Sequence, residues 1–293
     1  MSEQVIVNEE QSSKRLDLKS KVAAYWDEEP CDTRYASNPD RLLYFKELEE
    51  GRYISLPNIW GFARFDTARG LKVLEIGVGA GVDFCNWVRN GAIATGVDFT
   101  TQAIELTREY LELDGHPETS YRLLTADAEQ LPFEDESFDV VYSYGVLHHT
   151  PDTPKAFQEA RRVLRKGGHF KCMIYHSPSW VAINLWVYHA LFKLRPWKSL
   201  KQVVFNHLES PGTKVYSVPE ARQLMRQAGW KDCRVKLYLH DGDLLNIKLG
   251  PKYQNNFIVK TAQKLYPRWL IRALDKCKSG FGVVMHIDSV KEQ

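Results

Sequence analysis

The sequence predicts an α/β protein built on a doubly wound, mostly parallel sheet of seven strands. Between Lys72 and Tyr175, short apolar runs rich in Val, Leu and Ile alternate with amphipathic stretches, a pattern typical of parallel strands joined by helices. Three glycines at alternate positions, Gly77, Gly79 and Gly81, follow the first apolar run. Ligands in such sheets bind outside the carboxyl ends of the strands, so this glycine turn marks the expected binding site.

The composition is ordinary for a globular protein. Of 293 residues, 44% are hydrophobic and 26% are charged, and the net charge of +2 gives no support to a nucleic-acid partner. Five scattered cysteines never stand in Cys-x-x-Cys spacing, so we expect neither a disulfide framework nor a metal site. The amino terminus lacks the apolar core of a signal peptide, and no apolar stretch reaches the ~18 residues of a membrane span, so a cytoplasmic location is expected.

A helical amino-terminal cap is predicted over residues 14–66. Its helices, recognised by the spacing of their apolar residues, are expected at Lys14–Asp27, Asp40–Glu50 and Asn58–Asp66. Tyr25, Trp26 and Tyr35 lie close to the proline that stops the first helix. These aromatic side chains either pack between the helices and the sheet or cover a bound ligand.

The stretch from Lys72 to Thr100 is predicted to form a strand, a glycine turn, a helix and a second strand that ends on Asp98. Glycines are needed in the turn because a ligand must approach main-chain N–H groups without a β-carbon in the way. The following helix directs its positive end to the same place, and an acid at a strand end can accept hydrogen bonds from a ribose diol. A nucleoside-containing ligand is therefore the leading hypothesis. A dinucleotide is disfavoured because Val82 stands where Gly-x-Gly-x-x-Gly needs a small residue.

Three more strands are predicted before residue 177. They lie at Tyr121–Thr125, Phe138–Ser143 and His169–Tyr175, with a helix at Pro154–Leu164 and a turn at Lys166–Gly168. Asp127, Ala128 and Tyr144 follow the ends of the first two of these strands. We expect them at the sheet edge that also carries Glu75 and Asp98, because parallel strands end on one side of the sheet.

Two helical insertions are predicted in the remainder of the chain. A helix at Ser217–Ala228 and strands at Lys231–Leu239 and Phe281–Ile287 complete the sheet around insertions at 177–216 and 244–278. The first insertion holds a strongly apolar helix, Ser179–Leu194, and the second a helix at Phe257–Leu265 that resumes after Pro267. The apolar helix is interpreted as core packing, as a lid over a hydrophobic pocket, or as a surface for transient contact with a membrane. One domain over 1–293 is expected, with its core at 67–176 and its carboxyl-terminal part at 217–293.

The motif Glu-x-Gly-x-Gly-x-Gly that begins at Glu75, with Asp98, LPFEDESFDVVYSYGVLHHTPD and VLRKGGHF, resembles the class I, seven-strand, S-adenosylmethionine-dependent methyltransferases. These phrases are similar to the subgroup of ubiquinone and menaquinone C-methyltransferases and many natural-product methyltransferases. The resemblance implies a Rossmann-like methyltransferase fold whose last strand runs antiparallel between the fifth and sixth. It also implies S-adenosylmethionine as cofactor, S-adenosylhomocysteine as product and a small-molecule acceptor.

The resemblance further implies which residues hold the cofactor. The expected contacts are Glu75, Gly77, Gly79, Gly81, Asp98, Phe99, Asp127, Ala128, Tyr144 and Tyr25. Asp127 and Ala128 match the position that binds adenine in the family, where leading helices often cover the methionine end of the cofactor.

A candidate base follows the fourth strand. Methyl transfer from a sulfonium needs in-line positioning above all, and an oxygen or carbon nucleophile also needs a base. His148 and His149 stand beside the expected position of the methyl group, and histidine titrates near neutral pH. His149 is the preferred candidate, His148, Tyr144 and His176 are the others, and local packing of the histidine pair is the alternative.

Three functions are compatible with these features. The first is methyl transfer to a small, hydrophobic or aromatic acceptor, such as a natural product or a quinone-like or lipid-like molecule. The second is nicotinamide-dependent oxidoreduction, and the third is ligand binding by a methyltransferase-like protein without activity. No Asn/Asp-Pro-Pro-Tyr/Phe phrase follows the fourth strand, which argues against amino methylation of the kind seen on adenine or glutamine. The oligomeric state and the methylated atom are left open.

Overall fold

The computed structural model describes residues 3–28, 30, 33, 36–247, 255–276 and 280–292. Its strands are β1 (Lys72–Ile76), β2 (Ile93–Asp98), β3 (Tyr121–Thr125), β4 (Phe138–Tyr144), β5 (Leu164–Tyr175), β6 (Arg234–Tyr238) and β7 (Val284–Val290). They form one sheet in the order β3-β2-β1-β4-β5-β7-β6. Only β7 is antiparallel to its neighbours β5 and β6 among these strands, which confirms the predicted doubly wound, seven-stranded fold.

Several helices begin at residues whose side chains cap them. They are α1 (Glu3–Glu28), α2 (Arg41–Ser55), α3 (Ile59–Ala63), α4 (Val82–Arg89), α5 (Thr101–Leu113), α6 (Thr153–Val163), α7 (Trp180–Trp186), α8 (Leu200–His207), α9 (Val218–Gln227), α10 (Phe257–Leu265) and α11 (Arg268–Lys276). Asp40 and Thr100 cap α2 and α5 through their side-chain oxygens, and Ser217 forms a capping box with Glu220 at α9.

The sheet separates two apolar layers. On one face, Phe65, Trp87 and Tyr142 pack with residues of α2, α4 and α5. On the other face, Phe157 and Trp230 pack around Phe170 of β5, together with residues of α6 and α9. Burial on both faces explains why the parallel strands appear in the sequence as continuous apolar runs.

Several elements differ from their predicted bounds; α2 ends at Ser55 rather than Glu50, for example, and three other differences have a clear physical reason. Helix α1 begins at Glu3 rather than Lys14, because the polar residues before Lys14 include good helix formers. Strand β5 begins at Leu164 and includes the predicted turn at 166–168, since a register shift against β4 and main-chain bonds to Lys291 draw these residues into the sheet. The apolar helix is α-helical only to Trp186, and a wider π-helical turn continues through Val187–Leu191.

The two insertions contact each other. The side-chain amide of Asn184 in α7 donates to the hydroxyl of Tyr266 at 2.7 Å, and that of Asn256 donates to the hydroxyl of Tyr188 at 2.6 Å. The division of the chain into cap, core and insertions stays a prediction. In the part of the chain that the structure describes, every helix is too short or too polar to cross a bilayer.

Candidate functional site

The glycine turn between β1 and α4 has a backbone that favours glycine. Gly77, Gly79 and Gly81 have φ angles of +83°, +54° and +81°. A β-carbon at Gly77 would overlap the side chain of Val146, and one at Gly81 would lie 2.9 Å from a backbone atom of α5. The N–H of Gly79 donates to the carboxylate of Asp98 at 3.1 Å, so the turn is tied to the end of β2. Glycine therefore lets the turn pack closely against Val146 and α5 while it keeps its left-handed backbone.

Two acids stand at the ends of β2 and β3, as predicted. Burial raises the pKa of Asp98, whose carboxylate also accepts from the N–H of Thr100 at 3.0 Å. Asp127 accepts from the ammonium of Lys19 at 2.5 Å, and Lys19 also lies 2.6 Å from the carboxylate of Glu129. Because Lys19 belongs to α1, the amino-terminal helix crosses the end of β3.

A buried charged cluster lies beside the glycine turn. Arg52 of α2 donates to both carboxylate oxygens of Asp83, at 3.0 and 2.7 Å, and the hydroxyls of Tyr53 and Tyr142 donate to the same carboxylate. Glu75 is 3% exposed, and its Oε2 has no hydrogen-bond partner among the described residues. Burial and the negative charge of Asp83 raise the pKa of Glu75 well above its usual range. The cluster holds two carboxyl groups against one guanidinium.

A cavity of about 1120 Å³ joins these features to both insertions. At one end it is lined by Glu75, the glycine turn, Asp98, Asp127 and Ala128. At the other end the lining is mostly apolar and comes from the insertions: Leu185, Tyr188, Phe192, Leu245, Val259 and Tyr266. The cavity therefore has a polar end, named the cradle, and an apolar end, named the chamber.

His149 lies in the wall of this cavity. Its Nδ1 is 2.9 Å from the hydroxyl of Ser210 and 3.1 Å from that of Thr213. The hydroxyl of Thr213 already donates to the carbonyl of Ser210, so toward Nδ1 it can only accept. The hydroxyl of Ser210 can donate or accept, so the two hydroxyls are compatible with a proton on Nδ1 and a lone pair on Nε2.

A carboxylate from the first insertion faces His149. Oε2 of Glu209 lies 3.7 Å from Nε2 of His149, and the hydroxyl of Tyr175 donates to both carboxylate oxygens of Glu209 at 2.9 Å. Burial, followed by the positive charge of Lys214, lowers the pKa of His149 to about 3. The imidazole is therefore neutral at neutral pH, which leaves a lone pair on one ring nitrogen.

The other candidate bases are placed differently. His148 is fully buried outside the cavity lining, with its ring centroid 4.2 Å from that of Tyr175, and burial lowers its pKa. The hydroxyl of Tyr144 lies 3.0 Å from Nε2 of His286, although its ring lines the cavity. His176 bonds through Nδ1 to the carbonyl of Gly282. These contacts favour a structural role for His148, Tyr144 and His176 over a role in proton transfer.

Most of the aromatic residues predicted near the ligand lie at the cavity. Tyr25, Trp26 and Phe99 line the cavity, and the ring of Trp26 lies edge-on to that of His149 with centroids 5.4 Å apart. Tyr35 lies outside the described residues.

Residues distant in sequence complete the site, and the sequence pattern did not identify them. Lys19 and Arg52 belong to helices recognised only by apolar spacing, and their partners lie 108 and 31 positions away. Glu209 carried one usable signal, because it is the only acid between residues 177 and 216.

Comparisons with known proteins agree on one family. A family model described as a methyltransferase domain matches residues 74–172. A demethylmenaquinone methyltransferase from Roseiflexus castenholzii is 30% identical over 177 residues, which cover 57% of this chain and 70% of that protein. A ubiquinone biosynthesis O-methyltransferase from Actinobacillus pleuropneumoniae is 29% identical over 52% of this chain and 60% of its own length.

A solved structure supports the same fold. A Bacillus halodurans protein provisionally assigned as a methyltransferase matches with a TM-score of 0.54 at 19% identity, over 81% of this chain and 100% of that one. The fold, the glycine turn and the sequence matches together define a methyltransferase. The chain belongs to the class I S-adenosylmethionine-dependent methyltransferases and is an enzyme of that family.

Proposed function

We propose that this enzyme holds S-adenosylmethionine at the ends of β1, β2 and β3 and methylates a small, apolar or aromatic acceptor in the adjoining chamber. The continuity of the cavity carries the proposal, since it joins the glycine turn to apolar side chains such as Leu185, Phe192 and Val259. Relatives named for menaquinone and ubiquinone methylation support an acceptor of quinone-like chemistry.

The cradle residues fit a sulfonium nucleoside. The glycine turn lines the cavity with main-chain groups at Gly77 and Gly79, and the carboxylate of Asp98 suits a ribose diol. The unpartnered oxygen of Glu75 belongs to a cluster with two carboxyl groups and one guanidinium, and the α-ammonium of the cofactor would supply a second positive charge there. Asp127 and Ala128 would then contact the adenine, with Lys19 holding Asp127 in place.

Positioning is the main task of the chain. The bound sulfonium supplies an activated methyl group with a good leaving group. Holding the reactants in line can contribute roughly 7–11 kcal/mol. Helix α1, Trp26 and both insertions line the cavity, so they orient an acceptor and exclude water from it.

A proton acceptor is available for an acceptor hydroxyl or an acidic C–H. Nε2 of His149 would take the proton, and the carboxylate of Glu209 at 3.7 Å would stabilise the imidazolium that forms. The single hydroxyl of Tyr175 lies 2.9 Å from both carboxylate oxygens and holds them through one shared proton. Glu209 and Tyr175 thus act as positioning residues for His149.

Calorimetric titration with S-adenosylmethionine, S-adenosylhomocysteine and NAD tests the cofactor assignment. We expect micromolar binding of the two sulfur nucleosides, lost in Asp98→Asn and kept in the exposed control Asp66→Asn. Acceptors would then be screened by mass spectrometry for the gain of one methyl group. Binding of NAD in preference to both sulfur nucleosides would refute the proposal.

A further inference from the structure

Large apolar side chains are exposed on both insertions. In the first insertion, Phe192, Leu194 and Trp197 are 63%, 81% and 76% exposed. In the second, Leu265 and Trp269 are 78% and 74% exposed. Together these five side chains are named the insertion surface. The two insertions that carry these side chains contact each other, and large apolar side chains grouped in this way are typical of a surface that contacts a partner.

Charge is divided unevenly between the insertions and the rest of the chain. Residues 177–216 and 244–278 contain 13 lysines and arginines and two acidic residues, which gives a net charge of +11. The rest of the chain contains 26 lysines and arginines and 35 acidic residues, which gives a net charge of −9. Lys193, Lys264 and Arg272 are exposed and have no ion-pair partner among the residues described. Apolar side chains beside basic residues of this kind complement anionic lipid headgroups.

The insertion surface is continuous with the cavity. Phe192 is both largely exposed and part of the cavity lining, and Tyr266, which lines the cavity, directly follows the exposed Leu265. The hydrogen bond from Asn184 to Tyr266 joins the two insertions at this place. A molecule that leaves a bilayer beside these residues would meet the apolar chamber first.

We infer that the insertion surface docks on an anionic membrane and that the acceptor is a lipid-like molecule that enters the cavity from the bilayer. Anionic lipid is favoured over a second copy of the chain, because two surfaces of the same positive charge repel each other. The docking stands independently of the methyl transfer, whereas the lipid-like acceptor rests on the proposed function.

Co-sedimentation of the full chain with vesicles tests the docking. We expect binding to vesicles of phosphatidylcholine with phosphatidylglycerol, little binding to phosphatidylcholine alone, and weaker binding at high salt. Lys264→Gln and Arg272→Gln should each weaken binding about fivefold. Trp197→Ser with Trp269→Ser should weaken it at least as much, because both indoles then leave the interface.

Matched control variants lie at the opposite edge of the sheet. Lys166→Gln removes an exposed charge at the start of β5, and Ile93→Ser removes an exposed apolar side chain at the start of β2. Both should bind vesicles as the wild type does. Absence of binding to anionic vesicles, or equal losses in the control and insertion variants, would overturn the inference.

Two further measurements separate the possible causes. Sedimentation velocity that shows a dimer dissociated by Trp269→Ser would assign the surface to a second copy and overturn membrane docking. Calorimetry with S-adenosylmethionine should give the same affinity for all these variants. If the wild-type protein does not bind S-adenosylmethionine, the proposed function is refuted, whereas the result with vesicles still tests membrane docking.

Discussion

Replacement of Glu75 by Gln should make the protein more stable and its cofactor binding weaker. Gln keeps the shape of the side chain and removes its charge. Glu75 is 3% exposed, and Arg52 already directs its two bonds of 3.0 and 2.7 Å to Asp83. An ionised Glu75 is therefore a buried charge without its own counter-ion, which is costly for the folded state.

The sign follows from the raised pKa of Glu75, caused by burial and by Asp83. A carboxyl group whose pKa is raised in the folded state destabilises that state fully above the raised pKa; the penalty shrinks as the pH falls toward the ordinary carboxyl pKa and is absent below it. Glu75→Gln should therefore stabilise the protein at neutral pH and change its stability little at acidic pH.

The cofactor should respond in the opposite direction. A hydrogen bond to a charged group contributes about 1.5–3 kcal/mol, so loss of the Glu75 carboxylate should weaken S-adenosylmethionine binding about 10- to 150-fold. Urea unfolding at neutral and acidic pH and calorimetric titration would measure the two effects. Glu105→Gln, on the exposed face of α5, is the matched control. A less stable Glu75→Gln protein with unchanged cofactor affinity would refute the reasoning.

Three other sets of substitutions probe the turn, the base and the amino-terminal helix. Gly77→Ala should destabilise by about 1–2 kcal/mol for the left-handed backbone alone, and by more for the overlap with a neighbouring side chain. Gly61→Ala, in open space on α3, should instead leave stability unchanged or raise it by about 0.5–1 kcal/mol, as urea unfolding would show. His149→Gln should lower kcat about 10²–10⁴-fold and hardly change cofactor affinity, while His148→Gln should act mainly on stability. Because burial holds the pKa of His149 at about 3, protonation of this ring should not lower kcat between neutral and mildly acidic pH; a fall in kcat with an apparent pKa near 6.5 would contradict this. Lys19→Ala should speed cofactor release in stopped-flow measurements, since α1 loses its contacts with Asp127; an unchanged release rate would show that α1 does not retain the cofactor.

The sheet was predicted well because its signals are local. Strand β3 (Tyr121–Thr125) and helix α10 (Phe257–Leu265) have the predicted bounds, and β1 begins at Lys72, where the predicted strand–turn–helix stretch begins. Strands buried on both faces are continuous apolar runs that end at glycines and acids, and these ends place Asp98 and Asp127 on one edge. The predicted start of β5 was wrong. Pairing with β4 and main-chain hydrogen bonds to Lys291 bring residues that favour a turn into the sheet.

Local patterns in the chain were enough to predict the family fold, the glycine turn and the acids at the strand ends. Which charges meet depends on how the chain packs: Lys19 pairs with Asp127, Arg52 pairs with Asp83, and Glu209 lies beside His149. It also separated His149 in the cavity wall from His148 behind it, although the two are neighbours in sequence. The physical reason is that hydrophobic periodicity is a property of short segments, whereas ion pairs form between segments that only the packed chain brings together.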